Sequence, residues 1–143
     1  MMLLIEVIPN LWLGDQEITK HISKLTINCV INCSKDLHFL GNYEEYVVSI
    51  KNNIEKYEIV KMYEYLNETV DFIYKNLKAD KSILVFCESG NQKSPTVIAA
   101  YLIKYGKMSK NDAIKSIRTK HESAFYPDIN FDISLEMFQN NFM

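Results

Sequence analysis

The apolar residues of this chain fall into runs with distinct periods, and the periods set out the elements. Ile83-Leu84-Val85-Phe86 is an unbroken apolar run, the mark of a strand buried on both faces. Val97-Ile98-Ala99-Ala100-Tyr101-Leu102-Ile103 follows soon after and predicts a buried helix that ends near Tyr105-Gly106, with Gly106 as its C-cap. Upstream, Leu4 to Ile8 and Leu11-Trp12-Leu13-Gly14 read as two short strands around a Pro9-Asn10 turn. Ile27, Cys29, Ile31 and Cys33 alternate with Asn28, Val30 and Asn32, which predicts a strand over 27–33. Glu45 to Ile50 reads as a further strand. Helical spacing governs the rest. Gln16 to Lys24 follows a capping Asp15. Ile59, Met62, Leu66, Val70, Ile73 and Leu77 recur at steps of three and four, giving a long helix over 58–77. Ser109, with Asp112 three residues on, opens another helix whose apolar face is Ala113, Ile114 and Ile117. Ile133, Met137 and Phe138 predict a last one. Loops fill 34–43, 51–57 and 121–128. Strands alternating with helices predict an α/β fold with a central, mostly parallel sheet flanked by helices.

Composition narrows the class. At 143 residues the chain is expected to form one domain over 1–143, without repeats or low-complexity segments. It is 48% apolar and 24% charged, ordinary for a globular protein, and no run approaches the roughly 20 apolar residues of a membrane span. The apolar start Met1-Met2-Leu3-Leu4-Ile5 is cut by Glu6, too short for a signal peptide. A net charge of −2 argues against a nucleic-acid partner, and no membrane association is expected. Three cysteines without framework spacing point to a reducing, intracellular setting: cytoplasm, nucleus or the interior of a virion. A single arginine, Arg118, beside abundant Lys, Asn and Ile suggests an AT-rich genome, viral or protist.

The chemistry concentrates between the apolar strand and the helix that follows it. Cys87-Glu88-Ser89-Gly90-Asn91-Gln92-Lys93-Ser94-Pro95-Thr96 joins the two. Ser94 is suited to the N-cap, and Pro95 to the first helical turn, where a missing N–H is harmless. Such a loop aims backbone N–H groups and the positive end of a helix at one point, which makes an anion site, with Cys87 at its mouth. That field favours a thiolate.

This stretch resembles the signature loop of cysteine-based protein phosphatases, most closely the dual-specificity class, whose pattern is His-Cys, five residues, Arg, then Ser or Thr. Cys87, Gly90, Ser94, Pro95 and Thr96 match. Phe86 stands where the family has His, and Lys93 where it has Arg. Pro9-x-Leu11-x-Leu13-Gly14 is similar to the family's opening hairpin, and the element order agrees along nearly the whole chain. The resemblance implies a dual-specificity-phosphatase-like fold, no cofactor and no metal. It also implies Cys87 as nucleophile, Ser94 as the hydroxyl beside it, and phosphate held by the loop from Glu88 through Ser89, Gly90, Asn91 and Gln92 to Lys93. Lys93 keeps the charge of the family's Arg but loses its planar, bidentate fork. Phe86 cannot supply the hydrogen bonds of the family's His. The general-acid position falls on Asn52, and an amide has no proton to give; Glu55 is the substitute, with Asp36 and Asp128 poorer ones.

Three altered catalytic positions beside an intact scaffold favour a pseudophosphatase that binds phosphate or a phosphorylated protein with little or no turnover. Two alternatives stay open: a weakly active tyrosine and serine/threonine phosphatase working through a Cys87 phosphocysteine, and a non-catalytic interaction or structural protein, homodimeric or not. Elsewhere, Cys29, Cys33 and His38 have a loosely zinc-like spacing but read as core, and His21 and His121 read as surface residues. Tyr57, Tyr63, Tyr65 and Tyr74 read as packing or partner contacts, any one of which could line the mouth of a phosphotyrosine pocket.

Overall fold

The computed structural model describes residues 2–34, 43–51, 53 and 55–142. Among the described residues ten elements follow one another: β1 (Leu4–Ile8), β2 (Leu11–Gly14), a 3₁₀ helix (Gln16–Lys24), β3 (Cys29–Asn32), β4 (Glu44–Val47), α1 (Lys56–Lys78), β5 (Ile83–Phe86), α2 (Lys93–Lys104), α3 (Lys110–Lys120) and α4 (Asp132–Gln139). The apolar run of β5 lies at the centre of a five-stranded sheet of order β1-β2-β5-β3-β4. β2, β3 and β5 run parallel, as do β3 and β4, and β1 closes one edge antiparallel to β2. The α/β, mostly parallel fold expected from the sequence is therefore the one formed.

Alternation along β5 divides the interior in two. Ile83, Val85 and the following Cys87 face a large cluster with Met62, Leu66, Val70 and Ile73 of α1, Val97, Ile98 and Leu102 of α2, and Leu135 and Phe138 of α4. Leu84 and Phe86 face the opposite side, against Ile18 and Ile22 of the 3₁₀ helix, Ile27 and Val30. Helix α2 runs through the larger cluster and is buried from Lys93 to Ile103, which is why its sequence is apolar all round.

Several expectations are corrected. The segment after Asp15 is 3₁₀ rather than α, with Asp15 accepting from Ile18 N–H as expected of its cap. α1 begins two residues early, at Lys56, and three polar residues join its buried side: Glu58, Thr69 and Asn76. Thr69 and Asn76 bond back to the carbonyls of Tyr65 and Phe72, so burial leaves neither side chain unpaired. The cap of α2 is Tyr105, and the left-handed residue after it is Lys107 (φ 58°), not Gly106. Gly106 answers to close packing, since a Cβ there would lie 2.6 Å from the Leu102 carbonyl oxygen. In α4, Ile133 is 58% exposed, and the buried side is Ser134, Leu135 and Phe138. Ser134 takes the inward place because its hydroxyl donates to the Ile59 carbonyl (2.6 Å). β4 stops at Val47, short of Ile50, because Val48 N–H makes the last bond to β3, at Asn32 O.

Candidate active site

β5 is flanked on both sides by parallel strands, and its carboxyl end opens directly into the 87–92 loop and α2, where ligands settle in such sheets. Gly90 makes the loop possible. It adopts φ +75°, and a Cβ there would strike the Leu3 side chain and lie 3.1 Å from the Gly14 carbonyl oxygen.

The loop closes on the sulfur of Cys87, which is 2% exposed. Cys87 Sγ lies 3.1 Å from Ser94 Oγ and accepts the N–H groups of Gly90 (3.2 Å) and Ser94 (3.4 Å). This corrects the capping role expected of Ser94. α2 begins at Lys93 behind Gln92, and Ser94 lies inside its first turn. Its side chain is turned to the sulfur, and the sulfur receives one of the N–H groups that a helix start leaves unpaired. Pro95 has no N–H to satisfy, and Thr96 makes the first intrahelical bond, to Gln92 O (3.1 Å).

Lys93 turns inward and is 2% exposed. Its Nζ donates to the Ile50 carbonyl (2.8 Å) and pairs with Glu88 Oε1 (2.9 Å). The far side of the same 50–51 peptide is also held: Lys51 N–H donates to Glu58 Oε2 (3.1 Å), and Glu58 is 6% exposed. One peptide unit thus has a cation on its oxygen and a carboxylate on its N–H, matched to its dipole. Glu58 was not singled out by sequence reasoning. Its signal was position, an acidic residue in the first turn of a helix three residues after Glu55. Glu55 itself is solvent-exposed at the N-cap of α1, with its own N–H bonded to Asn53 Oδ1 (3.0 Å). Asn52, Asp36 and His38 lie outside the described residues. Asp128 is exposed, as expected of a loop residue.

The remaining loop residues are tied to the α3–α4 connection. Ser89 Oγ accepts Asn91 N–H (3.1 Å), and Asn91 O accepts Phe125 N–H (2.7 Å). Gln92, 5% exposed, donates to the carbonyls of Asp128 (2.8 Å) and Tyr126 (3.3 Å) and accepts Asn130 N–H (3.1 Å). His121 corrects the surface reading. It is 8% exposed, with Nε2 3.1 Å from Gly90 O and 3.0 Å from Asn91 Oδ1. Burial lowers its pKa, opposed by the bond to Gly90.

Phe86 is fully buried in the smaller cluster, on the sheet face away from the long helices. Cys33 extends β3 beside Cys87, its N–H bonded to Phe86 O (2.8 Å). Burial, and then the neighbouring Cys87, push the Cys33 thiol well up. Cys29 is 1% exposed, in agreement with the core reading of both. Among the described residues no cluster of His, Cys, Asp or Glu has the makings of a metal site, and no helix is long and apolar enough to cross a membrane. Tyr57 and Tyr65 line a surface hollow with Lys61, Glu64 and Glu68, while Tyr74 stacks on Tyr105 at 4.1 Å.

Residues 11–141 match the family model described as dual specificity phosphatase, catalytic domain. The chain belongs to the dual specificity phosphatase family. Its curated relatives include a protein of Invertebrate iridescent virus 6 named as a tyrosine phosphatase (123R), 25% identical over 94% of this chain and 90% of that one. Human dual specificity protein phosphatase 1 is 27% identical over 95% of this chain, which spans 37% of that protein's length. Among solved structures, human DUSP28 superposes with a TM-score of 0.80 at 19% identity, covering 96% of this chain and 93% of that one. The human tyrosine phosphatase-like serine/threonine/tyrosine-interacting protein gives 0.82 at 20% identity, covering 97% of each. These likenesses bear out the family and its fold.

Proposed function

We propose that this family member is a pseudophosphatase: the Cys87–Ser94 loop binds phosphate, or a phosphorylated protein segment, with little or no turnover. The observation that carries the reading is the engagement of Lys93. Phosphoryl transfer from a phosphoprotein needs fixed positive donors on the oxygens of the transferring group, and losing one preorganised donor typically costs about 10² to 10³ in rate. Lys93 has no fork, and its Nζ is committed to Ile50 O and Glu88. Phe86, at the position of the family's His, puts an apolar ring into the smaller cluster. Glu55, the substitute acid, is exposed to solvent at the head of α1. What remains is a folded loop around a sulfur and a helix start, which suits anion binding. The human tyrosine phosphatase-like neighbour in fold is named as an interacting protein, which is consistent with a binding role on this scaffold. The reading places the chain in an intracellular setting with a phosphoprotein partner.

A second reading has its own observation. Cys87 Sγ keeps both Gly90 N–H and Ser94 Oγ within reach, the arrangement a phosphocysteine route would use. There the thiolate would bond to phosphorus as the substrate oxygen leaves with a proton from Glu55, the substitute acid, and water would then release phosphate from the sulfur and return a proton to Glu55.

Calorimetric titration with tungstate, an unreactive tetrahedral anion, tests the binding claim. Saturable binding that is lost on filling the loop with Gly90→Val supports it. Absence of binding to the wild type contradicts it and leaves the interaction-protein reading, in which the loop holds nothing.

A further inference from the structure

We propose that His121 is a positioning residue for the phosphate loop, standing in from the α3–α4 side for the polar support that Phe86 cannot give from β5. The inference deepens the reading of the loop as an anion cradle and rests on it. Three observations carry it. Phe86 lies among Ile18, Ile22, Ile27, Val30 and Leu84, so its side chain offers the loop an apolar ring and no donor. His121, 8% exposed at the end of α3, brings Nε2 to 3.1 Å from Gly90 O and 3.0 Å from Asn91 Oδ1. Both atoms are acceptors, so Nε2 carries the proton and donates to the loop. The residue so held is the one that aims a donor at the nucleophile position: Gly90 N–H lies 3.2 Å from Cys87 Sγ.

The geometry explains why the loop needs an outside anchor at this point. Gly90 occupies the left-handed region, and a glycine there has wide freedom in φ and ψ unless its peptides are held. Its carbonyl, in the 90–91 peptide, is bonded to His121, while its N–H, in the 89–90 peptide, faces Sγ, so the bond to His121 holds one side of the residue whose other side reaches the sulfur. His121 is itself fixed, since its N–H bonds Ile117 O (2.9 Å) and its carbonyl accepts Ala124 N–H (3.0 Å). The neighbouring Phe125 N–H to Asn91 O bond fixes the next peptide from the same connection. The His121 ring bonds Gly90 and Asn91 and reaches the sulfur only through Gly90.

The test uses the full chain and compares His121→Phe, which fills the slot without a donor, with His121→Gln, whose amide nitrogen reaches about where Nε2 stands. Two readouts are taken: the rate of Cys87 alkylation by iodoacetamide, assigned with Cys87→Ser, and the tungstate affinity. Loosening the Gly90 N–H that faces Sγ is expected to slow alkylation and weaken tungstate binding roughly tenfold in His121→Phe, with recovery to within about threefold of wild type in His121→Gln. A folded His121→Phe with unchanged or faster alkylation overturns the proposal, as does a His121→Gln as impaired as His121→Phe. Should His121→Phe not fold, His121→Met carries the same comparison. A wild type that binds no tungstate would defeat the anion-cradle reading, while the alkylation rates would still decide the role of His121.

Discussion

At the scale of single residues, Lys93 carries the proposed loss of turnover. A lysine has three donors on one charge, and here the charge is spent inside the protein, on a carbonyl and a carboxylate. Glu88 is the removable partner, with its side chain 44% exposed. Replacing it in Glu88→Gln keeps the shape and releases the cation from its carboxylate. Tungstate affinity is then expected to rise about three- to tenfold, the effect of one added charge-assisted hydrogen bond to the anion. An unchanged affinity would mean that Lys93 does not reach the anion even when released. Lys93→Met leaves Ile50 O buried without its donor and is expected to cost about 1–3 kcal/mol in urea denaturation. His121 gives a pH signature. Its folded pKa is lowered by burial, so the unfolded chain binds the extra proton more readily. Stability from this group is complete above the unfolded value of about 6.5 and is lost as pH falls below it toward the folded value. The wild type should therefore lose more Tm than His121→Gln between about pH 7 and pH 5; parallel curves would contradict this.

At the scale of elements, the α3–α4 connection works as the loop's second wall. Gln92 joins to it at three points, Tyr126 O, Asp128 O and Asn130 N. Gln92→Ala strands those backbone groups and is expected to cost about 2–3 kcal/mol, with faster amide exchange at Asn130. Unaltered exchange there would show the connection to be held by packing alone. Much of the element plan was legible, because hydrophobic period records which side of an element is buried. β5 and the two strands of the opening hairpin were readable to the residue. What was not legible has a common physical cause, polar side chains that satisfy themselves by bonds no pattern displays. Ser134 is inside because Ile59 offers a carbonyl, and Ile133 is therefore outside. Ser94 looked like a cap and serves the sulfur instead. Val48 and Ile50 extended the apparent strand because both are buried past its end at Val47.

At the scale of the whole molecule, the site is a meeting of distant segments. Residues 50–51, 58, 87–94 and 121–130 are brought together by a sheet that puts β5 in its centre and by helices that return to its carboxyl end. The loop's own motif could be read from a dozen adjacent residues. The commitments of Lys93 to Ile50 and of His121 to Gly90 could not, since they join residues 43 and 31 positions apart and depend on tertiary packing. That is why the sequence pointed to the loop and to its altered residues but placed His121 on the surface and overlooked Glu58. The central claim is that this assembly retains an anion cradle and has lost turnover. Hydrolysis of a small aryl phosphate by the wild type, set against Cys87→Ser, tests it most directly. The account predicts rates that coincide within error. A wild-type rate about tenfold or more above Cys87→Ser would contradict it, since a difference of that size is roughly 1.4 kcal/mol of transition-state stabilisation owed to the sulfur.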